Sequence, residues 1–182
     1  LYRDTRPQLL NLDEASAAPD LAESDGTPAP KYFYMRRVHA LDDVPYCVIA
    51  IHLYDRIFRR APQRVRKELV IPLLMAMPGV KIAKARQTLT IRTADVEEAS
   101  LLRIPVNAPV ACVRRVFNAP DGTVIYLAMV TYRGDFVRLE MDMRRIVEIG
   151  ARAQLLDRLL IGGVRVLLRG WGRGDIAIHA AM

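Results

Sequence analysis

The sequence is poor in the residues that announce chemistry. Its two cysteines, Cys47 and Cys112, form no CxxC pair, and each sits in an apolar, strand-like run. They read as buried free thiols rather than a redox pair or a metal site. The three histidines, His39, His52 and His179, are scattered without metal-ligand spacing. No metal and no cofactor are therefore expected. There is no Gly-x-Ser-x-Gly element and no Ser-His-Asp arrangement, so nothing marks a nucleophile with its base, and no catalytic residue is assigned. No apolar run approaches the roughly 18 residues of a membrane helix. No signal-peptide pattern opens the chain, whose first residue is Leu1 rather than Met and reads as a cut start; a cytoplasmic protein is the expectation. The net charge is +7, but the arginines are spread along the chain without a Lys/Arg block or an aromatic-interleaved basic stripe. No helix-turn-helix, zinc-finger or RNA-recognition pattern appears. The basic balance therefore points to an anionic small ligand or a solvated surface rather than to nucleic acid bound by this segment.

What is present is ordinary globular material: 52% hydrophobic and 26% charged residues in 182, enough for one compact domain with a core. Asp13–Pro30 is rich in Ala, Asp, Glu, Ser and Pro, so residues 1–30 read as a linker. From Lys31 the pattern turns aromatic and β-branched. KYFYMRRVHA and YCVIAIHLY, separated by the turn signal Asp42-Asp43-Val44-Pro45, form a predicted hairpin. QRVRKELVIPLLMAM has helical spacing behind Pro62, with Pro72 as the expected break. VKIAKARQTLTIRTA alternates as a long, half-buried strand. A short helix DVEEASLLR follows, with Thr93 as its expected N-cap. PVACVRRVFN, the turn Ala119-Pro120-Asp121-Gly122, and TVIYLAMVTYRGD make a second hairpin, and FVRLEMDM a last strand. Residues 145–182 read as a helical appendix, with VRVLLRGW as one more strand.

The two hairpins overlay without a gap. MRRVHALDDVPYCVIAIHLY (Met35–Tyr54) matches VRRVFNAPDGTVIYLAMVTY (Val113–Tyr132), with Arg36/Arg114, Arg37/Arg115, Val38/Val116 and Ala50/Ala128 coinciding. A duplicated hairpin unit can merge into one antiparallel sheet with helices on one face, an α+β layer fold.

At TADVEEASLLRIPVNAPVACVRRVF and PDGTVIYLAMVTYRGDFVRLEM the chain resembles the UTRA effector-binding domain of GntR-type bacterial transcription regulators, HutC subfamily. The resemblance runs from about Lys31 to Arg144 (domain 31–144), and the strand closing in Tyr132-Arg133-Gly134-Asp135 is part of it. It implies a chorismate lyase-like antiparallel β-sheet with flanking helices. It also implies a homodimer, a winged helix-turn-helix domain preceding residues 1–30 that contacts DNA, and no membrane role. The family's site carries over residue by residue. Of its Arg-x-Arg pair, Arg37 is kept and the second position is His39. Its two acids are replaced by Ile49 and Tyr126, and its tyrosine is Tyr132. Arg86 and Thr88, on one face of the long strand by period two, join as candidate cleft residues. With both acids gone, the implied effector is anionic, probed by a planar Arg fork and by His39 when protonated, and more apolar or aromatic than a sugar phosphate. Ile49 and Tyr126 read equally well as core. Two alternatives stay open: a chorismate lyase-like enzyme acting on an aromatic acid, and a module that only dimerises.

Overall fold

The computed structural model describes residues 5–13, 19–141, 164–169 and 175–179. They divide into two compact units, Asp4–Gly134 and a second one within Asp135–Met182.

The first unit is built on a sheet. Its strands are β1 (Thr5–Asp13), β2 (Thr27–Pro28), β3 (Tyr32–Leu41), β4 (Val44–Tyr54), β5 (Lys84–Thr93), β6 (Pro109–Asn118) and β7 (Thr123–Arg133). The order is β1-β3-β4-β7-β6-β5, antiparallel throughout, with the two-residue β2 parallel to the start of β7. Both expected hairpins are present, β3–β4 and β6–β7, and they meet through β4 and β7 at the centre. Asp42 and Asp43 both take left-handed φ, 49° and 62°, in the first turn. A two-residue hairpin turn that matches the strand twist needs this backbone, and Asp tolerates it.

Three readings from the sequence are corrected here. Thr5–Asp13 is not part of a linker: it pairs with β3 from Thr5↔Leu41 to Asp13↔Tyr34 as the sheet's outer strand. The expected single helix with a break at Pro72 is two helices, α2 (Pro62–Lys67) and α3 (Val70–Ala76), after a short α1 (Asp55–Phe58). The break falls at Glu68–Leu69, and Pro72 sits in the first turn of α3, where no backbone N–H is needed. The N-cap of α4 (Val96–Leu102) is Asp95, not Thr93. Asp95 accepts from the Glu98 N–H (2.7 Å) and Glu98 accepts from the Asp95 N–H (3.3 Å), a capping box two residues later than expected.

Helices cover both faces of the sheet, not one. Residues in register across neighbouring strands share a face. On one face lie Phe33, Met35, Arg37 and His39 of β3 and their register partners, covered by α1 and α2; Phe58 stacks on Phe33 with ring centroids 3.6 Å apart, and Arg37 reaches the end of α2. This is called the flap face below. On the reverse face Val38, Val48 and Val110 pack with Ala94, Ala99 and Leu102 around α4.

The gapless overlay of the hairpins holds for β3 and β6 but slips by one residue in β4 and β7. Arg37 opposes Ile49, whereas Arg115 opposes Ala128 rather than Leu127. One residue of slip turns a side chain to the other face. With the slip, the registers describe a pseudo-two-fold through the Ala50↔Met129 pair, and Arg37 and Arg115 are mates on the flap face.

In the second unit β8 (Val137–Met141), β9 (Val164–Arg169) and β10 (Asp175–His179) form an antiparallel sheet in the order β10-β9-β8. The expected strand at FVRLEMDM thus pairs with the segment read as an appendix. The helical part expected of the appendix over 145–182 falls on residues 145–163, outside the described residues.

Candidate functional site

The period-two pattern of β3 places Arg37 and His39 on the flap face, and both are buried, at 1% and 5% exposure. Ile49 sits beside Arg37 in register, and Cys47 beside His39; Tyr132 of β7 follows Cys47 in the same row. Tyr126 lies on the same face in the row of Phe33 and Leu53, two rows from Arg37, stacked on Phe117 at 5.0 Å. So the structure brings together Arg37, His39, Ile49, Tyr126 and Tyr132. It does not bring Arg86 and Thr88 to them. Arg86 opposes Val116 and Thr88 opposes Arg114, on the reverse face. Arg86 there binds the carboxylate of Asp25, and Thr88 is exposed. A cleft shared with Arg37 is corrected for both: alternation groups residues within one strand, but only the pairing with β6 says which face they take.

Sequence reasoning missed Arg115, which was visible only as the repeat partner of Arg37. It is buried at 6% exposure on the flap face. Its Nε donates to Gln87 Oε1 (2.6 Å) and its Nη2 to the Tyr132 hydroxyl (3.0 Å). Arg37 donates through Nη1 to the carbonyls of Val65 (3.2 Å) and Glu68 (2.9 Å), at the C-terminal end of α2. These carbonyls lack partners within the helix and carry its partial negative charge. Arg37 Nε and His39 Nε2 are buried with no hydrogen-bond partner.

Two guanidinium groups are therefore buried on one face, and neither holds a carboxylate among the described residues. Burial pushes Arg37 below its ordinary value, yet a guanidinium stays charged at neutral pH. Burial also works against the charge of Arg115, and the neighbouring Tyr132 and Tyr126 more than offset it. Burial, helped by the charge of Arg37, brings His39 down to about 3. The imidazole is thus neutral at physiological pH, which corrects the expectation that it assists as a cation. Burial lifts the Tyr126 hydroxyl and the Cys47 thiol to about 12 each, so both stay protonated. The face thus offers positive charge together with hydroxyl, thiol and imidazole groups. Among the described residues no cluster of His, Cys, Asp or Glu is arranged for a metal.

The reverse face is built the other way. Asp25, from a 3-10 turn at Glu23–Asp25, is fully buried and accepts from Arg114 Nη2 (2.5 Å) and Nη1 (3.0 Å) and from Arg86. Arg36 pairs with Glu97 (2.5 Å), and Arg92 with Glu98 (2.5 Å). Hydrogen bonds from Arg114 and Arg92 hold Asp25 and Glu98 down at about 2.

The family model of the UTRA domain matches residues 2–138. The HTH-type transcriptional repressor NagR of Bacillus subtilis (strain 168) is 24% identical over 129 residues, 70% of this chain and 53% of that protein. The chain thus spans about half the length of this curated relative. Among solved structures, a GntR-family transcriptional regulator from Enterococcus faecalis V583 superposes with a TM-score of 0.59 at 20% identity, over 75% of this chain and 99% of that one. PhnF from Mycobacterium smegmatis gives 0.56 at 17% identity, over 72% and 59%. These likenesses establish the fold.

Proposed function

This chain belongs to the UTRA-domain family, and from that premise we propose that it is the effector-sensing part of a transcription regulator and that its effector is a small anion. The effector lies on the flap face of the sheet, beneath α1 and α2. One observation carries this reading: Arg37 and Arg115 are buried there with no acid among the described residues, while their sequence neighbours Arg36 and Arg114 on the reverse face each hold one. Buried charges are normally paired, since an isolated ion loses its hydration without return. An anionic ligand supplies the missing partner.

Arg37 is the anchor. Its present acceptors, the Val65 and Glu68 carbonyls, are neutral groups that an effector carboxylate or phosphate displaces. That exchange frees the junction between α2 and α3. His39 offers Nε2 to the bound molecule, and Ile49 and Tyr126 give it an apolar and aromatic floor.

The wider reading follows NagR, which is named a repressor and is about twice as long as the stretch matched here. In it, a DNA-binding head elsewhere in the whole protein works with this domain in a cytoplasmic homodimer. The effector binds one dimer arrangement better than the other and so changes the spacing of the heads on a two-fold operator. No helix among the described residues is long and apolar enough to cross a membrane. An enzyme is not proposed.

The test is thermal denaturation of the protein against carboxylates and phosphates at millimolar level. A ligand at about 100 times its Kd adds about 2.7 kcal/mol, a shift of several degrees. The expected result is a shift with one anion class that Arg37→Met abolishes. No shift with any anion leaves a dimerisation-only module and sinks the sensor reading.

A further inference from the structure

We infer that Arg115 is a second anchor and that the effector carries two anionic groups joined by an apolar spacer. The inference rests on the effector reading above and names the class of molecule that fits it.

The placement of the two arginines carries it. Arg37 is on β3 and Arg115 on β6, related by the pseudo-two-fold of the hairpins. Three strand steps of about 4.8 Å each separate them across the sheet. Both side chains project from the same face and both are buried, at 1% and 6% exposure. The floor between them is apolar: Ile49 and Ile51 on β4, Val130 and Ala128 on β7, in the two register rows that hold the arginines. The surface therefore presents cation, hydrocarbon and cation in turn.

The hydrogen bonds support two separate subsites rather than one. Arg37 reaches up to the end of α2, and Arg115 reaches sideways to Gln87 and the Tyr132 hydroxyl. They share no acceptor. Among the described residues every acceptor they use is neutral, so neither guanidinium meets a carboxylate there. His39, adjoining Arg37, has a free buried Nε2 that matches one end of a ligand, and Tyr132 matches the other. A straight-chain dicarboxylate is the simplest molecule with this pattern: a bidentate contact at each end and methylene groups over Ile49, Ile51, Val130 and Ala128.

The test is calorimetric titration with dicarboxylates from glutarate to suberate, the monocarboxylates of equal length, and inorganic phosphate. Each is run on the protein, on Arg115→Met and on Arg37→Met, with the melting temperature checking that each variant folds. The expected result is a dicarboxylate that binds at least tenfold tighter than its monocarboxylate. Arg115→Met removes that advantage, bringing the dicarboxylate down to the affinity of its monocarboxylate. Equal affinity for the two classes overturns the inference, as does equal weakening of both by Arg115→Met. Phosphate binding that needs both arginines also overturns it, because one doubly charged group then bridges them. In those cases anion binding through Arg37 survives and so does the sensor reading; absence of binding by any anion removes both.

Discussion

Arg36 and Arg37 are consecutive, as are Arg114 and Arg115, yet the members of each pair live under different electrostatic rules. Arg36 and Arg114 point to the reverse face and meet Glu97 and Asp25. Arg37 and Arg115 point to the flap face and meet carbonyls, an amide and a hydroxyl. One peptide unit thus divides charge that ties structure together from charge held in reserve. The reverse face uses its ions to fix a turn and a helix onto the sheet. The flap face carries two buried cations that meet no carboxylate among the described residues, a cost that the proposed anion would offset.

The contrast breaks most severely at Asp25. Asp25→Ala should cost about 1.5–3 kcal/mol in denaturant unfolding, because it removes the buried acceptor of the partly solvated Arg114 and Arg86 and frees the turn they hold. A loss below about 1 kcal/mol would show that the reverse face is no better paired than the flap face.

Acid should separate the faces by pH. His39 sits at about 3 in the fold against 6.5 ordinarily, so the unfolded chain binds the extra proton first. Its contribution is intact above pH 6.5 and is lost as pH falls toward 3. Asp25 and Glu98 sit at about 2, so their stabilisation is intact above pH 4.5 and is lost between there and 2. Between pH 6.5 and 5 His39 on the flap face should give a slope approaching 1.4 kcal/mol per pH unit, added to the part from His52 on the reverse face. His39→Gln should flatten this slope to the remainder left by His52, which burial also lowers. A slope unchanged by His39→Gln would place the acid sensitivity elsewhere.

Arg37→Met sharpens the comparison from the other side. Exchanging an unpaired buried charge for an apolar chain should leave stability unchanged or raise it by about 1 kcal/mol, while abolishing anion-induced stabilisation. A melting temperature that falls by many degrees would make Arg37 a structural tie to α2. The smallest effect belongs to Glu97→Ala. Its carboxylate is 63% exposed, so water screens the pair with Arg36 and the denaturant midpoint should move least of all. Denaturant midpoints of that variant and of Asp25→Ala would grade the reverse-face pairs by burial.

Much of the fold was legible because strands advertise themselves locally. Both hairpins, the Asp42-Asp43 turn and the central strands follow from alternation and turn chemistry. Thr5–Asp13 escaped because its strand character depends on the partner β3, which no local signal reveals. Arg37, His39, Ile49, Tyr126 and Tyr132 were assembled by resemblance, and they do share a face. Arg115 carried its signal in the repeat, but a match between two arginines does not say that both are buried and unpaired.

What the sequence determined by itself is what short-range physics encodes: period-two burial, turn residues that tolerate left-handed backbone, a duplicated hairpin and a family pattern. Only the tertiary structure decided the rest. Whether an arginine is paired depends on carboxylates brought from far along the chain; Asp25 reaches Arg114 across 89 positions. Which face a side chain takes depends on register, and the one-residue slip between β4 and β7 is invisible to a gapless overlay. Pairing and register are set by the closing of the whole sheet, where every strand must bury its apolar side at once.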